Sequence, residues 1–275
     1  MTLQPPVWSR PTPFGSEDTR LVIVRGNSGS GKTSLAAGLR EQYGRGITLV
    51  GQDNLRRVIL RERDTPDSAN IGLINLTVRY ALDHGFHVVL EGILYAAHYA
   101  PMAEALVRDH RGHTYPYYLD IPFEETLRRH ATNPQADEYG EKELRDWYRP
   151  QDFLPSRAES VIPASSSLAE TTNLVMLESG LTADNACREA GALLDEYDSG
   201  AWKPADVERA FAEDLARGRP SGSHLRDGLS DAPPGRLTDL ITRATPVFQQ
   251  TRSDDTAEKL RLALQPLLDR LAPLP

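Results

Sequence analysis

Cysteine occurs once in this chain, at Cys187, so no internal disulfide can form, and no Cys/His set has the spacing of a zinc site. Stability must come from packing, and any metal is expected to be a hard cation. Long apolar runs are also missing. None approaches the roughly 20 residues that cross a bilayer, and the opening MTLQPPVWSRPTPFGSEDTR lacks the basic-then-apolar order of a secretory signal. The expectation is a cytoplasmic protein with no membrane partner. An excess of basic residues is absent too: 31 Lys and Arg stand against 39 Asp and Glu, a net charge of −8. That sign disfavours a polymeric nucleic acid as partner. In residues 201–275 the two signs balance at 11 each, so the acidic excess belongs to the first two hundred residues.

What is present has the proportions of a folded protein. Apolar residues make up 39% and charged residues 25% of the 275, enough for one α/β domain and a smaller part. Residues 1–20 hold four prolines and no periodic pattern, which reads as a loose tail. From Leu21, short apolar runs alternate with turns and stretches of helical period, the pattern of βαβ units. Strands are expected at Leu21–Val24, Ile47–Val50, His87–Leu90, Tyr115–Leu119 and Asn173–Leu177. Helices are expected at Lys32–Tyr43, Leu55–Arg63, Ala69–His84, Ala100–Asp109, Phe123–His130, Glu141–Tyr148 and Ala183–Asp195. The fold class is therefore α/β: a five-stranded, mainly parallel sheet sandwiched by helices.

The domain is expected to span 21–197, with a lid at about 128–149. Beyond it, residues 198–275 read as an α-helical C-terminal extension without strand signals. Leu260, Leu264, Leu267, Leu268 and Leu271 form one apolar stripe there, interrupted by Pro266. The stripe can pack on its own chain or serve as a homodimer interface.

The strongest motif is Gly26-Asn27-Ser28-Gly29-Ser30-Gly31-Lys32-Thr33, a full G-x-x-x-x-G-K-T between a strand and a helix, with Ser34 next in line. Glycines let the backbone wrap closely round phosphates, and the helix N-terminus adds its partial positive charge. Lys32 is expected to reach the β- and γ-phosphates of ATP, and the Thr33 hydroxyl to ligate Mg²⁺. At the end of strand two, Asp53 sits at the crevice rim, able to activate an attacking hydroxyl or to cap the helix that follows. Arg56 lies one turn on and can bind the acceptor. Glu91 ends strand three and can hold Mg²⁺ or the acceptor. Arg128, Arg129, Arg145 and Arg149 flank a polar loop at 131–140, a lid-like arrangement that could bring guanidinium groups to the transferring phosphoryl, Arg129 and Arg145 foremost.

With these residues, positions 20–195 resemble the P-loop kinase group that contains chloramphenicol phosphotransferase, the kinase domain of polynucleotide kinases and the zeta toxins. The segment from Asn133 to Tyr148 also looks like the lid of small actinobacterial kinases. The resemblance implies a mobile lid and transfer of the ATP γ-phosphate to a hydroxyl. From the polynucleotide kinases it implies that Asp53 is the base and Arg56 a substrate-binding arginine. Zeta toxins, which phosphorylate a nucleotide sugar, carry an arginine shortly after their Glu-Gly pair; here Ile93-Leu94-Tyr95 follows Glu91-Gly92. The expected partner is thus a small-molecule hydroxyl acceptor such as an antibiotic or nucleoside. The alternatives are a nucleotide sugar, a polynucleotide 5′-hydroxyl, or no acceptor at all in an ATP-hydrolysing switch.

Overall fold

The computed structural model describes residues 11–131, 139–182, 184, 185 and 188. The chain divides into two compact units, Met1–Ser179 and Gly180–Pro275. The first carries all the elements discussed below. Apart from three residues, the helix expected at Ala183–Asp195 lies outside the described residues. So does everything expected beyond Tyr197, including the leucine stripe. No helix among the described residues is long and apolar enough to cross a membrane.

Five strands, β1 (Arg20–Gly26), β2 (Ile47–Gly51), β3 (His87–Gly92), β4 (His113–Asp120) and β5 (Ser160–Pro163), form one sheet in the order β2-β3-β1-β4-β5. Every neighbouring pair is parallel. The helices are α1 (Lys32–Tyr43), α2 (Ala69–Asp83), α3 (Ala96–Asp109), α4 (Phe123–His130), α5 (Glu141–Trp147) and α6 (Leu168–Glu178). The crossover from β1 runs one way along the sheet to β2, and the crossover from β3 runs the other way to β4. Right-handed connections therefore place α1 on one face and α2 with α3 on the opposite one. Side chains alternate to suit: Leu21, Ile23, Val88 and Leu90 join Ile74, Val78, Met102 and Leu106 in one core cluster beneath α2 and α3. Val22, Val24 and Val89 are as fully buried but lie outside that cluster. Burial on both faces is why these strands are unbroken apolar runs.

The fifth strand is not where the sequence pattern put it. Asn173–Leu177 lies inside α6, and the strand is Ser160–Pro163. The helix start is fixed by a capping box: Ser167 Oγ accepts from Glu170 N at 3.2 Å while Glu170 Oε2 accepts from Ser167 N at 2.8 Å. Thr171, Thr172, Val175 and Met176 are buried, a helical spacing rather than an alternating one. The true strand is a short edge strand ending in Pro163, and three of its four side chains are exposed. It therefore carries almost no apolar signal.

Two other segments differ from expectation. Residues 12–16 are docked. Phe14 is buried against the His110 ring and under the Arg79 guanidinium, and Thr12 N donates to Asp109 Oδ2. Where an α-helix was expected at Leu55–Arg63, the chain forms a wider π-helical segment, Asn54–Leu60. It ends at Arg61, whose φ is +54°. Val58 and Ile59 of this segment face solvent, 69% and 57% exposed. Isolated π-helical turns cluster at functional sites, and this one begins beside Asp53.

Candidate phosphate and acceptor site

The direction of the crossovers switches between β1 and β3, and ligands of open α/β sheets bind at the carboxyl ends of strands at such a point. Strand register brings the candidate residues there together. Glu91 pairs with Val24 of β1 on one side and with Gly51 of β2 on the other. A Cβ on Gly51 would stand 3.0 Å from Glu91 Oε1, so glycine there gives the carboxylate its room.

The loop after β1 is shaped by glycine. Gly29 and Gly31 have φ of +75° and +99°. A Cβ on Gly29 would come within 2.6 Å of the Thr126 carbonyl oxygen, so the loop is pressed against α4 where no side chain fits. Lys32 folds back over the loop and is buried, its Nζ donating to Asn27 O at 2.8 Å. Burial lowers the Lys32 pKa, and the charges of Glu91 and Asp53 pull it back up. Burial in turn raises the Glu91 carboxyl. Lys32 opposes that rise, Asp53 adds to it, and the hydrogen bond from Thr33 counters it. Thr33 Oγ1 donates to Glu91 Oε2 at 3.3 Å. Lys32, Thr33, Glu91 and Asp53 therefore form one electrostatically coupled group at the mouth of the loop.

Among the described residues no set of three or more His, Cys, Asp or Glu could hold a metal by itself. A hydroxyl and a single carboxylate fit a hard cation whose other ligands are phosphate oxygens and water.

Asp53 is not an N-cap by its side chain. Its backbone is already helical, no capping bond forms, and Oδ1 accepts from Arg56 Nη2 at 2.7 Å. The Asp53 carboxylate remains 56% exposed at the rim. Arg56 is largely covered, and its Nε is buried without a partner.

The lid arginines are placed differently from one another. Arg128 and Arg129 both donate to Glu125, whose carboxyl they hold down at about 2. Arg129 also reaches the nucleotide loop, its Nη1 donating to Ser30 O at 3.1 Å. Arg145 pairs with Glu141 and lies over the Phe123 ring at 4.4 Å. Arg149 donates to two carbonyls of its own segment, Asp146 O and Tyr148 O, and lies 5.7 Å from the Tyr95 ring centroid. Ser28 meets the lid through Tyr139, with a hydroxyl contact of 3.5 Å. Ser34, on the first turn of α1, is exposed.

Several residues of the site carried no motif. Gln52 spans the gap from β2 to the loop after β3: its Oε1 accepts from Leu94 N at 3.0 Å, and its Nε2 donates to Tyr99 OH at 2.7 Å. Tyr99 OH lies 2.9 Å from Asp64 and 3.0 Å from Asn70, and burial with the Asp64 charge raises its pKa. Asp64 also faces His98 Nδ1 at 3.4 Å. Arg25, near the end of β1, is fully buried. Its Nε and Nη2 donate to Leu94 O, and the guanidinium pairs with Glu159 at 2.6 Å and Asp152 at 3.0 Å. One signal could have found it: an arginine directly after the unbroken apolar run Leu21–Val24.

No family model and no curated protein matches this chain. Solved structures similar to it include the APS kinase of Mycobacterium tuberculosis in complex with AMPPNP and APS, at 20% identity and a TM-score of 0.44, covering 60% of this chain and 97% of that one. The tunicamycin resistance protein of Deinococcus radiodurans is similar at 16% identity and 0.43, covering 58% and 95%. The shikimate kinase of Acinetobacter baumannii in complex with shikimate is similar at 24% identity and 0.40, covering 59% and 94%. At these scores the likeness is one of general chain course, and no substrate follows from it.

Proposed function

We propose that this chain is an ATP-dependent phosphotransferase that moves the γ-phosphate to a hydroxyl group of a small molecule, with Asp53 as general base. The observation that supports this most is the mutual coupling of Lys32, Thr33, Glu91 and Asp53 at the switch point of the sheet. A nucleotide switch needs the first two. An exposed carboxylate held at the rim by an arginine has a use when a hydroxyl must be oriented toward the phosphoryl group.

In this reading the loop amides of residues 27–33 and Lys32 hold the triphosphate, and Arg129 steadies the loop from α4 through the Ser30 carbonyl. Bound Mg²⁺ would neutralise charge on the phosphate oxygens, with Thr33 and Glu91 as the residues that hold it. Asp53 accepts the proton of the acceptor hydroxyl as that oxygen attacks. Arg56 holds the Asp53 carboxylate at the rim through their 2.7 Å ion pair. Asp64 and His98, partly exposed, form the acceptor wall, held from behind by the buried hydrogen-bonding groups of Gln52 and Tyr99. Such a wall suits a hydroxylated acceptor.

The test is incubation with γ-labelled ATP, Mg²⁺ and a broad panel of hydroxyl compounds. Label is expected in one product class. Asp53→Asn should lower that transfer by about 10²–10⁴-fold while leaving AMPPNP affinity unchanged, whereas Lys32→Ala should weaken AMPPNP binding itself. If ATP is consumed, no compound is labelled and Asp53→Asn consumes it at the wild-type rate, the molecule is an ATP-driven switch instead.

A further inference from the structure

Asn27 is the second residue of the nucleotide loop, yet its side chain faces away from the phosphate cradle. It is buried, and its amide grips the backbone of Arg149 from both sides: Oδ1 accepts from Arg149 N at 2.8 Å, and Nδ2 donates to Arg149 O at 2.8 Å. An amide that satisfies both polar groups of one distant residue defines that residue's position in two directions at once. Two further hydroxyls hold the same stretch. Tyr118 OH reaches Arg149 O at 3.3 Å and receives Asp152 N at 3.2 Å. Tyr95 OH donates to Trp147 O at 2.7 Å. The chain returning from the lid is thus pinned by the nucleotide loop, by β4 and by the loop after β3.

That grip fixes the Arg149 backbone, from which the exposed side chain starts. It lies over Tyr95, and the charges of Arg149, Asp64 and Arg56 are all felt at the Tyr95 hydroxyl, so Arg149 shares its surroundings with the acceptor wall and the rim. Arg145 is paired with Glu141, and Arg128 and Arg129 share the single carboxylate of Glu125. Arg149 has no carboxylate among the described residues and donates only to carbonyls. A guanidinium that no described carboxylate pairs with, carried on a backbone held by the phosphate loop and lying beside Tyr95, can meet charge that develops on a phosphoryl group in transit.

Resting on the phosphotransferase reading, we propose that Asn27 is a positioning residue: it couples the shape of the nucleotide loop to the lid's return so that Arg149 meets the transferring phosphoryl group. Asn27 acts through Arg149 and makes no side-chain contact with the nucleotide.

A double-mutant cycle reads this directly, using acceptor-free release of phosphate from ATP by the full-length chain and, in parallel, Mg·AMPPNP affinity. Asn27→Ala and Arg149→Ala are each expected to lower kcat about tenfold with the KM for ATP and the AMPPNP affinity unchanged. In the Arg149→Ala background, Asn27→Ala should cost nothing more, and added guanidinium ion should restore part of the rate. Tyr95→Phe, which alters a partly exposed hydroxyl and leaves the buried amide intact, should show a smaller loss that is likewise absent without Arg149. The proposal is overturned if Asn27→Ala slows both backgrounds equally, or if it raises the KM for ATP at unchanged kcat, which would make Asn27 a nucleotide contact. Lys32→Ala separates the two levels. If that variant releases phosphate as fast as wild type, the phosphotransferase reading itself fails and the Asn27 proposal falls with it.

Discussion

The two walls of the site are made of different material. The nucleotide wall is backbone: a loop bent by Gly29 and Gly31 and closed over by one buried lysine. In the proposed reading the acceptor wall is side chain, drawn from separate places: Asp64 from the turn before α2 and His98 from α3, backed by Gln52 at the end of β2 and by Tyr99, with Asp53 and Arg56 at the rim and Arg149 beside it. A backbone cradle recognises a feature shared by all nucleoside triphosphates and tolerates little change of shape. A side-chain wall recognises one acceptor and can be rebuilt residue by residue. The first is written in eight consecutive letters; the second is assembled only when the sheet register and the lid are in place.

Arg25 is where the two walls join, and removing it should have the largest effect on stability. Its guanidinium lies between Leu94 O, which anchors the loop bearing Tyr95, and the carboxylates of Asp152 and Glu159 that follow the lid. Arg25→Ala would leave the buried Glu159 carboxylate, the partly covered Asp152 carboxylate and Leu94 O without their cation, each acid keeping one backbone N–H, from Leu154 and Ala96, a loss of about 3–5 kcal/mol. Arg25→Lys should recover little, because an ammonium cannot serve Leu94 O, Asp152 and Glu159 with a planar fork. Urea denaturation measures the loss. AMPPNP affinity of the remaining folded protein should change less than acceptor-dependent transfer. Equal damage to both would mean that the walls are one rigid piece.

This division also explains how much could be read from sequence. The loop at 26–33, β1 to β4 and the helices α1, α2, α4 and α5 follow from apolar period, glycine and position, which are local properties. The fifth strand was misplaced because an edge strand such as Ser160–Pro163 buries one side chain and offers almost no pattern, while the apolar run Asn173–Leu177 belongs to a helix set by the Ser167–Glu170 capping box. Gln52, Asp64 and Tyr99 were invisible for another reason. Each is an ordinary polar residue in sequence, and only the approach of β2, the turn before α2 and α3 makes a network of them. Asn27 was legible as a loop residue but not as the clamp on Arg149, a contact spanning 122 positions.

Glycine in the loop gives a smaller test of the backbone wall. Gly29→Ala places a Cβ 2.6 Å from the Thr126 carbonyl oxygen at a φ of +75°, so both strain and a clash with α4 result. The expected cost is about 1–3 kcal/mol by denaturation, together with a loss of AMPPNP affinity. At Gly31 the φ is +99°, but a Cβ would meet only Arg129 Nη1 at 3.7 Å, so Gly31→Ala should suffer the strain without the clash and cost less. On the π-helical segment Val58 is exposed, and Val58→Ala should change stability by no more than about 0.5 kcal/mol. If Val58→Ala proved as costly as Gly29→Ala, that segment would be held by contacts as tightly as the loop, and the contrast between the walls would fail.

The finest effect is electrostatic and crosses from one wall to the other. Burial raises the Glu91 carboxyl above the ordinary carboxylate range, and Asp53 raises it further. If ionised Glu91 helps hold Mg²⁺, the affinity for Mg·AMPPNP should fall as the solution is acidified through a pKa higher than that of a free glutamate. Asp53→Asn removes a neighbouring negative charge, so Glu91 ionises more readily and the acid limb moves to lower pH. Arg56→Met does the reverse, because it uncovers the Asp53 charge that Arg56 now pairs with at 2.7 Å. Screening at this half-open rim keeps each displacement small. The order of the limbs, Asp53→Asn lowest, wild type between and Arg56→Met highest, depends only on the signs of the charges. A limb that stayed put in Asp53→Asn would place Glu91 and Asp53 out of electrical reach of one another, and the two walls would then act independently.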